Sequence, residues 1–470
     1  MWVTISAAAY VLLEGVAIYF SYRAVAKART PQGSIAWVVF LISTPWFAVP
    51  AFLFFGHTRF RGYVIARRDS EEVIKGVETY SKAHPANGTG APFGFDSFEA
   101  IANLPVVGGN GFELLIDGAR TFDAIFEAID MAERYVLVQF YIIHDDRLGQ
   151  DFAERLKAAA ERGVMVRLLF DSVGSAKLPQ AYLDELRDAG VEVVNAHALY
   201  GPRHRFQVNF RNHRKTVVVD GQVGFIGGFN VGDEYLGRDA AFGAWRDTHC
   251  RLTGPVVMQL QLVFAEDWHW ATQTLLLSRL DWEPEPSEQD MDALVVATGP
   301  GDMLETGSLY FCACITRAME RIWIASPYFV PDVDILTALK LAALRGVDVR
   351  ILVPEVIDHR LPWLAAFAYF DEVRSAGVRV WRYDAGFMHQ KVVLVDDEIA
   401  SVGTTNMDNR SCRLNFEATV LVFDPRAAEA VKEMLEDDFA RAYLLETDLN
   451  AQPWQRRVGA PFARLLAPIL

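Results

Sequence analysis

Two stretches of the chain, NFRNHRKTVVVDGQVGFIGGFN at residues 209–230 and MHQKVVLVDDEIASVGTTN at residues 388–406, carry one pattern twice. In each, a histidine is followed by a lysine two residues later and by an aspartate seven residues later, and a glycine then leads to an asparagine. The valine-rich run between the lysine and the aspartate predicts a buried strand in both copies. The repetition indicates that the chain contains two related halves.

The repetition extends into the flanking sequence. AERLKAAAERGVMVRLLFD at residues 153–171 is echoed by LTALKLAALRGVDVRILVP at 336–354, and AYLDELRDAGVEVV at 181–194 is echoed by AYFDEVRSAGVRVW at 368–381. Each unit is predicted to form an amphipathic helix, a glycine that ends the helix, and a short strand. Helices that alternate with strands predict an α/β fold with helix-covered parallel or mixed sheets, and the duplication predicts two pseudo-symmetric α/β sandwich domains.

The chain of 470 residues is longer than one ordinary domain of roughly 100–200 residues. We predict a two-span membrane hairpin at residues 1–70, a linker at 71–100, a first domain at 101–288 and a second domain at 289–470. The linker is predicted because glycine, proline and small polar residues are concentrated between positions 82 and 95.

Two apolar runs near the N-terminus predict membrane helices. Residues 3–22 contain one charge, Glu14, and residues 34–55 contain none, so that each run has the ~20 residues that cross a bilayer. Aromatic residues near the ends of the runs favour membrane spans over a buried soluble hairpin. Pro45 and Pro50 leave open a kinked or partly re-entrant second span. Glu14 is either a functional intramembrane carboxylate or a packed one.

Two spans would place the N-terminus and everything after residue 55 on the same side of the membrane. Basic residues lie on both sides of the second run, and the charge rule therefore favours a cytoplasmic catalytic part only weakly. These residues are Arg23, Lys27 and Arg29 in the connector and Arg59, Arg61, Arg67 and Arg68 beyond the second run.

The histidine and lysine of each motif suit a phosphodiester. In an extended strand His213 and Lys215 point to one face, as do His389 and Lys391. An imidazole can attack phosphorus while an ammonium group neutralises a non-bridging oxygen. If each half supplies one pair, the predicted site lies at the seam between the halves. The net charge of −15 argues against broad nucleic-acid binding.

Four further residues complete the predicted site. Asn230 and Asn406 follow the glycines and are predicted to donate hydrogen bonds to phosphate oxygens. Asp220 and Asp396 are catalytic candidates, but their positions before a turn also allow a capping role. The sequence contains no cluster of acidic residues, histidines or cysteines with metal-ligand spacing around the motifs, and we predict neither a metal nor a cofactor.

These features resemble the phospholipase D superfamily, whose signature is a duplicated H-x-K-x4-D followed by G-x-x-N or G-G-x-N. The resemblance covers nearly everything after about Asn103. Within the superfamily, NFRNHRKTVVVDG, GGFNVGDEY, WRDTH, NMDNRSCRLNFE and the paired span that ends in FLFFG are similar to cardiolipin synthases, so that the match extends over residues 1–470. This implies a multi-pass protein of the bacterial inner membrane with its catalytic domains on the cytoplasmic face.

The resemblance also implies a reaction. A phosphatidyl group would pass from one phosphatidylglycerol to another through a phosphohistidine, which gives cardiolipin and releases glycerol. His213 is expected to attack and His389 to act first as acid and then as base, although the sequence does not order them. Asp247 in WRDTH and Glu417 in LNFE match acidic residues that orient the histidines, or they are ordinary surface carboxylates. The expected partners are membrane phospholipids, and a homo-oligomer is left open.

Three alternatives use the same sequence features. A phospholipase D would use water or another alcohol as acceptor, and a membrane-tethered nuclease would use the same chemistry on nucleic acid. The acidic charge and the apolar runs disfavour the nuclease. A non-catalytic membrane scaffold is disfavoured because both motifs are intact.

Two basic segments add predictions. The residues before and within the first motif, Arg203, His204, Arg205, Arg211 and Arg214, would attract anionic lipid headgroups or form a solvated loop. The C-terminal WQRRVGAPFARLLAPIL at residues 454–470 would form a short interfacial or docking helix, or pack against its domain.

Overall fold

A computed structural model describes residues 2–26, 31–56, 71–83, 85–86, 88, 94–196 and 210–470. The chain divides into two compact units, residues 1–64 with 199–210 and residues 65–198 with 211–470. Several basic residues named above lie outside the described residues. From the topology prediction these are Lys27, Arg29, Arg59, Arg61, Arg67 and Arg68, and from the segment before the first motif they are Arg203, His204 and Arg205.

The described residues of the N-terminal unit form three apolar helices that pack on one another. They are α1 (Trp2–Ala26), α2 (Pro31–Ser43) and α3 (Pro45–Phe55). Ala17 of α1, Leu41 of α2 and Ala48 of α3 are fully buried where the helices meet, and the rings of Phe20 and Phe52 stack at 5.1 Å. The small side chains of Ala17 and Ala48 allow the close approach that helix packing in an apolar unit requires.

Among the described residues, Ala9–Ala26 of α1 is the segment that is long and apolar enough to cross a membrane, with 18 residues and a mean hydropathy of 1.2. The second predicted span is divided at Thr44 into α2 and α3, each of which is shorter than a span. Thr44 leaves the helical conformation, with φ −142°, because a following proline disfavours it there. The structure therefore provides one N-terminal apolar helix, and the predicted two-span hairpin is not confirmed.

The second unit contains all the remaining described elements. Its helices are α4 (Glu71–Ala83), α5 (Asp96–Ala102), α6 (Gly118–Asp130), α7 (Arg147–Glu161), α8 (Gln180–Asp188), α9 (Val256–Thr272), α10 (Thr306–Arg317), α11 (Val333–Leu344), α12 (Arg360–Arg374), α13 (Asn409–Arg413), α14 (Pro425–Ala440) and α15 (Trp454–Arg464). Its strands are β1 (Val107–Ile116), β2 (Tyr135–Phe140), β3 (Met165–Phe170), β4 (Glu192–Asn195), β5 (Arg211–Asn212), β6 (Thr216–Val219), β7 (Val223–Gly227), β8 (Trp245–Arg246), β9 (Thr248–Thr253), β10 (Met291–Thr298), β11 (Arg321–Ala325), β12 (Phe329–Val330), β13 (Asp348–Pro354), β14 (Arg379–Tyr383), β15 (Phe387–Met388), β16 (Val392–Val395), β17 (Ile399–Gly403), β18 (Met407–Asp408), β19 (Asn415–Phe423) and β20 (Ala442–Leu444).

One mixed sheet runs through this unit and repeats itself. The first half has the strand order β4-β3-β2-β6-β7-β9-β1, and the second half has the equivalent order β14-β13-β11-β16-β17-β19-β10, with β20 added at its edge. In both halves the three outer strands pair in parallel and the next strand pairs antiparallel. The halves join where β1 and β10 pair antiparallel. The predicted α/β class with two related halves is confirmed.

Burial explains how the central elements hold the two halves together. Every residue of β10 and β19 is buried, as expected of strands that are covered on both faces. Helix α9 is buried along most of its length, because it is apolar on nearly all sides.

Two segments that the sequence left uncertain belong to this unit. Helix α4 occupies the first half of the predicted linker, and its Val77 is buried in the core. The C-terminal helix α15 packs on α12, where the Arg456 guanidinium lies 4.7 Å from the Trp363 ring. The sequence left two alternatives for the C-terminal segment. In the structure this segment packs against its domain.

Candidate active site

Each motif histidine is held next to a strand segment of the opposite half. Strand β5 pairs in parallel with the start of β19, and β15 pairs in parallel with β8. The backbone N–H of His213 donates to the carbonyl of Phe416 at 2.9 Å, and that of His389 donates to the carbonyl of Arg246 at 2.8 Å. The residue that follows each carbonyl is acidic, and both histidines thus meet a carboxylate from the other half.

His213 is hydrogen-bonded to Glu417. Its Nδ1 lies 2.8 Å from Oε2 and 3.0 Å from Oε1 of that carboxylate. Glu417 is fully buried and also accepts hydrogen bonds from the Thr404 hydroxyl at 2.6 Å and the Asn415 amide at 3.1 Å. Because the carboxylate accepts the Nδ1 proton, the lone pair of the His213 ring is on Nε2.

His389 has the equivalent partner in Asp247. Its Nδ1 lies 2.8 Å from Oδ2 of Asp247, which is also fully buried and accepts the backbone N–H of Thr248 at 2.8 Å. The Lys391 ammonium lies 2.8 Å from the same Nδ1. Since Nδ1 cannot donate to the carboxylate and accept from the ammonium at once, the pairing with Asp247 fixes the tautomer and the lysine contributes its charge.

Both histidines line one cavity of about 620 Å³, within the roughly 300–1,000 Å³ range of small-molecule sites. Asn230 and Asn406 also line it, together with aromatic and charged residues from both halves. The structure therefore brings the two motifs to a single site at the seam, as the duplication predicts.

The motif lysines lie behind the histidines rather than in the cavity wall. Lys215 donates to the carbonyl of His213 at 2.6 Å, and its ammonium lies 5.6 Å from the centre of the Tyr141 ring. Lys391 makes the equivalent bond to the carbonyl of His389. Burial lowers the pKa of Lys215 to about 7 and that of Lys391 to about 8. An incoming phosphate would favour their charged forms.

Burial also sets the protonation of the other titrating groups. It lowers the pKa of both His213 and His389 to about 4; the neighbouring carboxylates oppose this effect, and Lys215 and Lys391 add to it. Burial would raise the pKa of Glu417 and Asp247, but the hydrogen bond from the adjacent histidine and the charge of the adjacent lysine hold both below their usual values. At neutral pH the site therefore has two neutral imidazoles, each beside a carboxylate.

The two asparagines have different surroundings. The Asn230 side-chain oxygen accepts the backbone N–H of Ile142 at 3.0 Å, and its amide donates to the Tyr235 hydroxyl at 3.0 Å. The Asn406 side-chain oxygen is buried and has no hydrogen-bond partner among the described residues. Both side chains nevertheless face the cavity that contains the histidines.

The motif aspartates lie away from this cavity. Asp220 accepts the backbone N–H groups of Glu133, Arg134 and Tyr135 at 2.7–2.9 Å, at the start of β2. Asp396 accepts those of Met319, Glu320 and Arg321 at the start of β11. Both aspartates have a positive φ, 53° and 51°, where aspartate is tolerated better than most residues. Of the two roles that the sequence left open, the contacts match capping.

Of the predicted basic residues, Arg211 lines the cavity, whereas Arg214 is fully buried and pairs with Asp267 at 2.6 Å. Among the described residues, no group of three or more histidine, cysteine, aspartate or glutamate side chains is arranged to hold a metal ion. The absence of a metal requirement stays a prediction.

Sequence reasoning missed several residues of the cavity wall. The Tyr141 ring meets His213 edge-on at 4.9 Å, and Tyr328 lies on the same wall as Asp358, to which its hydroxyl donates. Both tyrosines follow the second strand of their half, β2 or β11, in QFYIIHDD and SPYFVPD. Their recurrence at equivalent positions was a signal that could have identified them.

The fold is that of two-copy phospholipase D-like enzymes. The crystal structure of a phosphatidylserine synthase from Haemophilus influenzae Rd KW20 superposes with a TM-score of 0.60 over 80% of this chain and 99% of that one, at 17% identity. At that identity the likeness concerns the fold alone.

Sequence similarity shows the family to which this chain belongs. The family described as "Cardiolipin synthase, PLD-like domain" matches residues 125–268 and 311–439. "Cardiolipin synthase A" of Pseudomonas fluorescens strain SBW25 is 46% identical over 457 residues, which cover 95% of each chain. The protein of the same name from strain Pf-5 is 44% identical over 98% of this chain and 97% of that one. The chain belongs to the cardiolipin synthase family of PLD-like proteins, and the predicted resemblance is confirmed.

Proposed function

We propose that this protein is a phosphatidyltransferase that makes cardiolipin from two molecules of phosphatidylglycerol and releases glycerol. The observation that carries the proposal is the meeting of His213 and His389 at one cavity, each with its Nδ1 bound to a buried carboxylate. Membership of the cardiolipin synthase family supports the choice of substrate. No cofactor takes part in the proposed reaction.

In the first step, Nε2 of one histidine attacks the phosphorus of a phosphatidylglycerol. A nitrogen–phosphorus bond forms, and the bond between phosphorus and the oxygen of the headgroup glycerol breaks. The second histidine gives its Nε2 proton to that oxygen. By analogy with the superfamily, we assign the attack to His213 and the proton donation to His389. The negative phosphate favours protonation of the donor histidine, which is otherwise neutral.

In the second step, the now neutral second histidine removes a proton from the hydroxyl of another phosphatidylglycerol. The hydroxyl oxygen attacks phosphorus, the nitrogen–phosphorus bond breaks, and cardiolipin leaves. Lys215 and Lys391 supply positive charge, and Asn230 and Asn406 donate hydrogen bonds to the phosphate oxygens. Asp247 and Glu417 keep each Nδ1–H in place so that Nε2 stays directed to the phosphorus. Asp220 and Asp396 support the site by capping strands.

Product analysis tests the reaction. Purified protein given only phosphatidylglycerol is expected to form cardiolipin and glycerol in equal amounts, identified by mass. Phosphatidic acid without cardiolipin would establish a phospholipase D instead. His213→Ala and His389→Ala are each expected to abolish turnover with an unchanged thermal midpoint, and activity in either variant would refute a site shared by both histidines.

For the membrane we propose two spans, α1 and the α2–α3 pair, with the catalytic unit on the cytoplasmic face of the bacterial inner membrane. Support comes from the outward apolar side chains of α1, among them Val11, Leu12 and Ile18, and from the absence of charge between residues 34 and 55. We also propose residues 101–288 and 289–470 as the two catalytic domains, and self-association of the chain stays open.

Cysteine labelling tests this topology. A membrane-impermeant maleimide is expected to label Ala28→Cys in intact spheroplasts and the exposed Gln455→Cys only after permeabilisation. Labelling of Gln455→Cys in intact cells would contradict the cytoplasmic location, and protection of Ala28→Cys would contradict two spans. The unsubstituted chain, whose cysteines are buried or half-buried, gives the background.

A further inference from the structure

The cavity combines equivalent positions of the two halves, but its charges are not equivalent. Arg211 lies two residues before His213, and the position two residues before His389 is Phe387. Arg211, His213 and His389 line the cavity, and the Phe387 ring lies 5.9 Å from the His389 ring. One histidine thus has a cation beside it where the other has an aromatic ring.

A second pair of equivalent positions also differs in charge between the two halves. Arg410 follows Asn406 by four residues, and Glu234 follows Asn230 by four residues. Both line the cavity. Glu234 pairs with His144 at 3.0 Å. The duplication therefore places two arginines at one end of the cavity and a carboxylate and a phenyl ring at the equivalent positions of the other end.

Both arginines lie near the Tyr141 side chain, which is next to His213. The Tyr141 hydroxyl is hydrogen-bonded to Arg211, it is close enough to Arg410 to be influenced by its charge, and its ring contacts His213. Burial lowers the pKa of Arg410, and the positive charge of Arg211 lowers it further. Two guanidinium groups that repel each other in a half-buried wall are stabilised when an anion binds between them.

Acidic groups also lie near this pair, and the charges of Asp408 and Glu417 favour the charged form of Arg410, which opposes the lowering of its pKa. Asp408 caps α13 by accepting the backbone N–H of Ser411 at 2.6 Å, and burial raises its pKa to about 6. Glu417 is engaged by His213. A third arginine of the wall, Arg360, lies two residues after Asp358, a carboxylate whose charge influences His389.

The proposed reaction needs more than one anion site. The donor phosphate is already served by the two motif lysines and the two asparagines. Water and glycerol carry no charge, whereas a phosphatidylglycerol acceptor brings a second phosphate into the cavity. A hydrolase would have no need of a further pair of arginines.

We propose that Arg211 and Arg410 form a second phosphate subsite, which binds the phosphate of the acceptor phosphatidylglycerol while the donor phosphate lies between the histidines. The inference rests on the proposed function, and it adds the residues that select the acceptor. The subsite raises the occupancy of an anionic lipid acceptor over that of water, which favours transfer over hydrolysis.

The test compares three acceptors in the full-length protein with phosphatidylglycerol as the donor. They are a second phosphatidylglycerol, measured as cardiolipin; labelled free glycerol, measured as label exchanged into phosphatidylglycerol; and water, measured as phosphatidic acid. Arg211→Gln and Arg410→Gln are each expected to lower cardiolipin formation about 10- to 100-fold, the loss typical of a charge-assisted hydrogen bond. Glycerol exchange should stay within about twofold of the unsubstituted protein, because donor use is unchanged.

An equal loss of cardiolipin formation and glycerol exchange would overturn the inference, since the arginines would then serve the donor phosphate or the fold. Unchanged cardiolipin formation in both variants would overturn it as well. If the unsubstituted protein exchanges glycerol but forms no cardiolipin, the proposed function itself fails, whatever the variants do.

Matched variants separate charge from structure. Arg120→Gln removes the same charge from an exposed arginine that pairs with Glu113 at 3.0 Å, away from the cavity, and it should leave all three reactions unchanged. Arg211→Lys and Arg410→Lys should retain part of the cardiolipin activity. The Arg410 guanidinium also contacts the Ile469 carbonyl at 3.4 Å, so thermal midpoints are recorded, and Arg211 gives an independent result.

Discussion

The neutrality of the two imidazoles that line the cavity is a consequence of burial. His213 and His389 are 9% and 7% exposed, and the cost of charging them in that environment outweighs the attraction of the neighbouring carboxylates. His249, which is fully buried behind the site, has its pKa lowered to about 3 for the same reason. Neutral imidazoles are suited to attack phosphorus, but they make the fold sensitive to acid.

We therefore expect the free energy of unfolding to fall as the pH decreases below about 6.5, the value for an unfolded histidine. Between that pH and about 4, the unfolded chain binds protons that the folded site does not, which costs up to about 1.4 kcal/mol per pH unit for each histidine. Denaturation of the protein in detergent at pH 7.5, 6.5 and 5.0 measures the slope. The double variant His213→Gln, His389→Gln should show a shallower slope, and an equal slope would contradict this assignment.

Gly228 shows how one missing side chain makes room for another. A Cβ atom at this position would lie 2.0 Å from Oδ1 of Asp247, the carboxylate that is hydrogen-bonded to Nδ1 of His389. The equivalent position of the other half is Thr404, whose hydroxyl instead donates to Glu417. We expect Gly228→Ala to displace Asp247 and to lower cardiolipin formation about 10- to 100-fold, as losses of such supporting contacts do. Gly76→Ala, which has open space around it, is the control, and normal activity of Gly228→Ala would refute the steric argument.

At the scale of elements, arginines next to His213 and next to Asp247 pair with buried aspartates on two helices. Arg214 pairs with Asp267 of α9, and Arg246, next to Asp247, pairs with Asp438 of α14 at 2.7 Å. Asp438 also accepts the Gln390 amide at 2.7 Å, next to His389. The helices thereby fix the segments that carry the histidines and their carboxylates.

Removing one partner of such a pair leaves a buried charge. The Arg246 and Asp438 side chains are 7% and 0% exposed, so Asp438→Asn is expected to lower the free energy of unfolding by about 3–5 kcal/mol. Glu113→Gln breaks an exposed ion pair with Arg120 and should cost less than about 1 kcal/mol. Urea denaturation of the two variants compares them, and similar losses would show that burial does not decide the effect.

At the scale of the whole molecule, both histidines of the site come from one chain. The parallel contacts β5 with β19 and β15 with β8 cross the seam in opposite directions, so that neither half contains a complete site. Inactive His213→Ala and His389→Ala chains, mixed and reconstituted together, are therefore expected to stay inactive. Glycerol release measures this, and recovery of activity in the mixture would indicate that chains exchange halves.

The sequence by itself determined the duplication, the α/β class, the histidine and lysine pairs, and the family, because local periodicity and a repeated motif are readable along the chain. Only the tertiary structure decided which carboxylate serves which histidine. Glu417 and His213 are 204 positions apart, and Asp247 and His389 are 142 apart, and nothing in local pattern encodes such pairings.

The tertiary structure also decided the positions of the motif aspartates and the distribution of charge in the cavity. Asp220 and Asp396 complete the motif in sequence, but the turn that follows each strand carries them away from the cavity to cap backbone N–H groups. Arg211 and Arg410 lie on different halves and meet only because the sheet joins the two copies at β1 and β10. Long-range strand pairing, which depends on the complete core, is the physical reason that these features could not be read from the sequence.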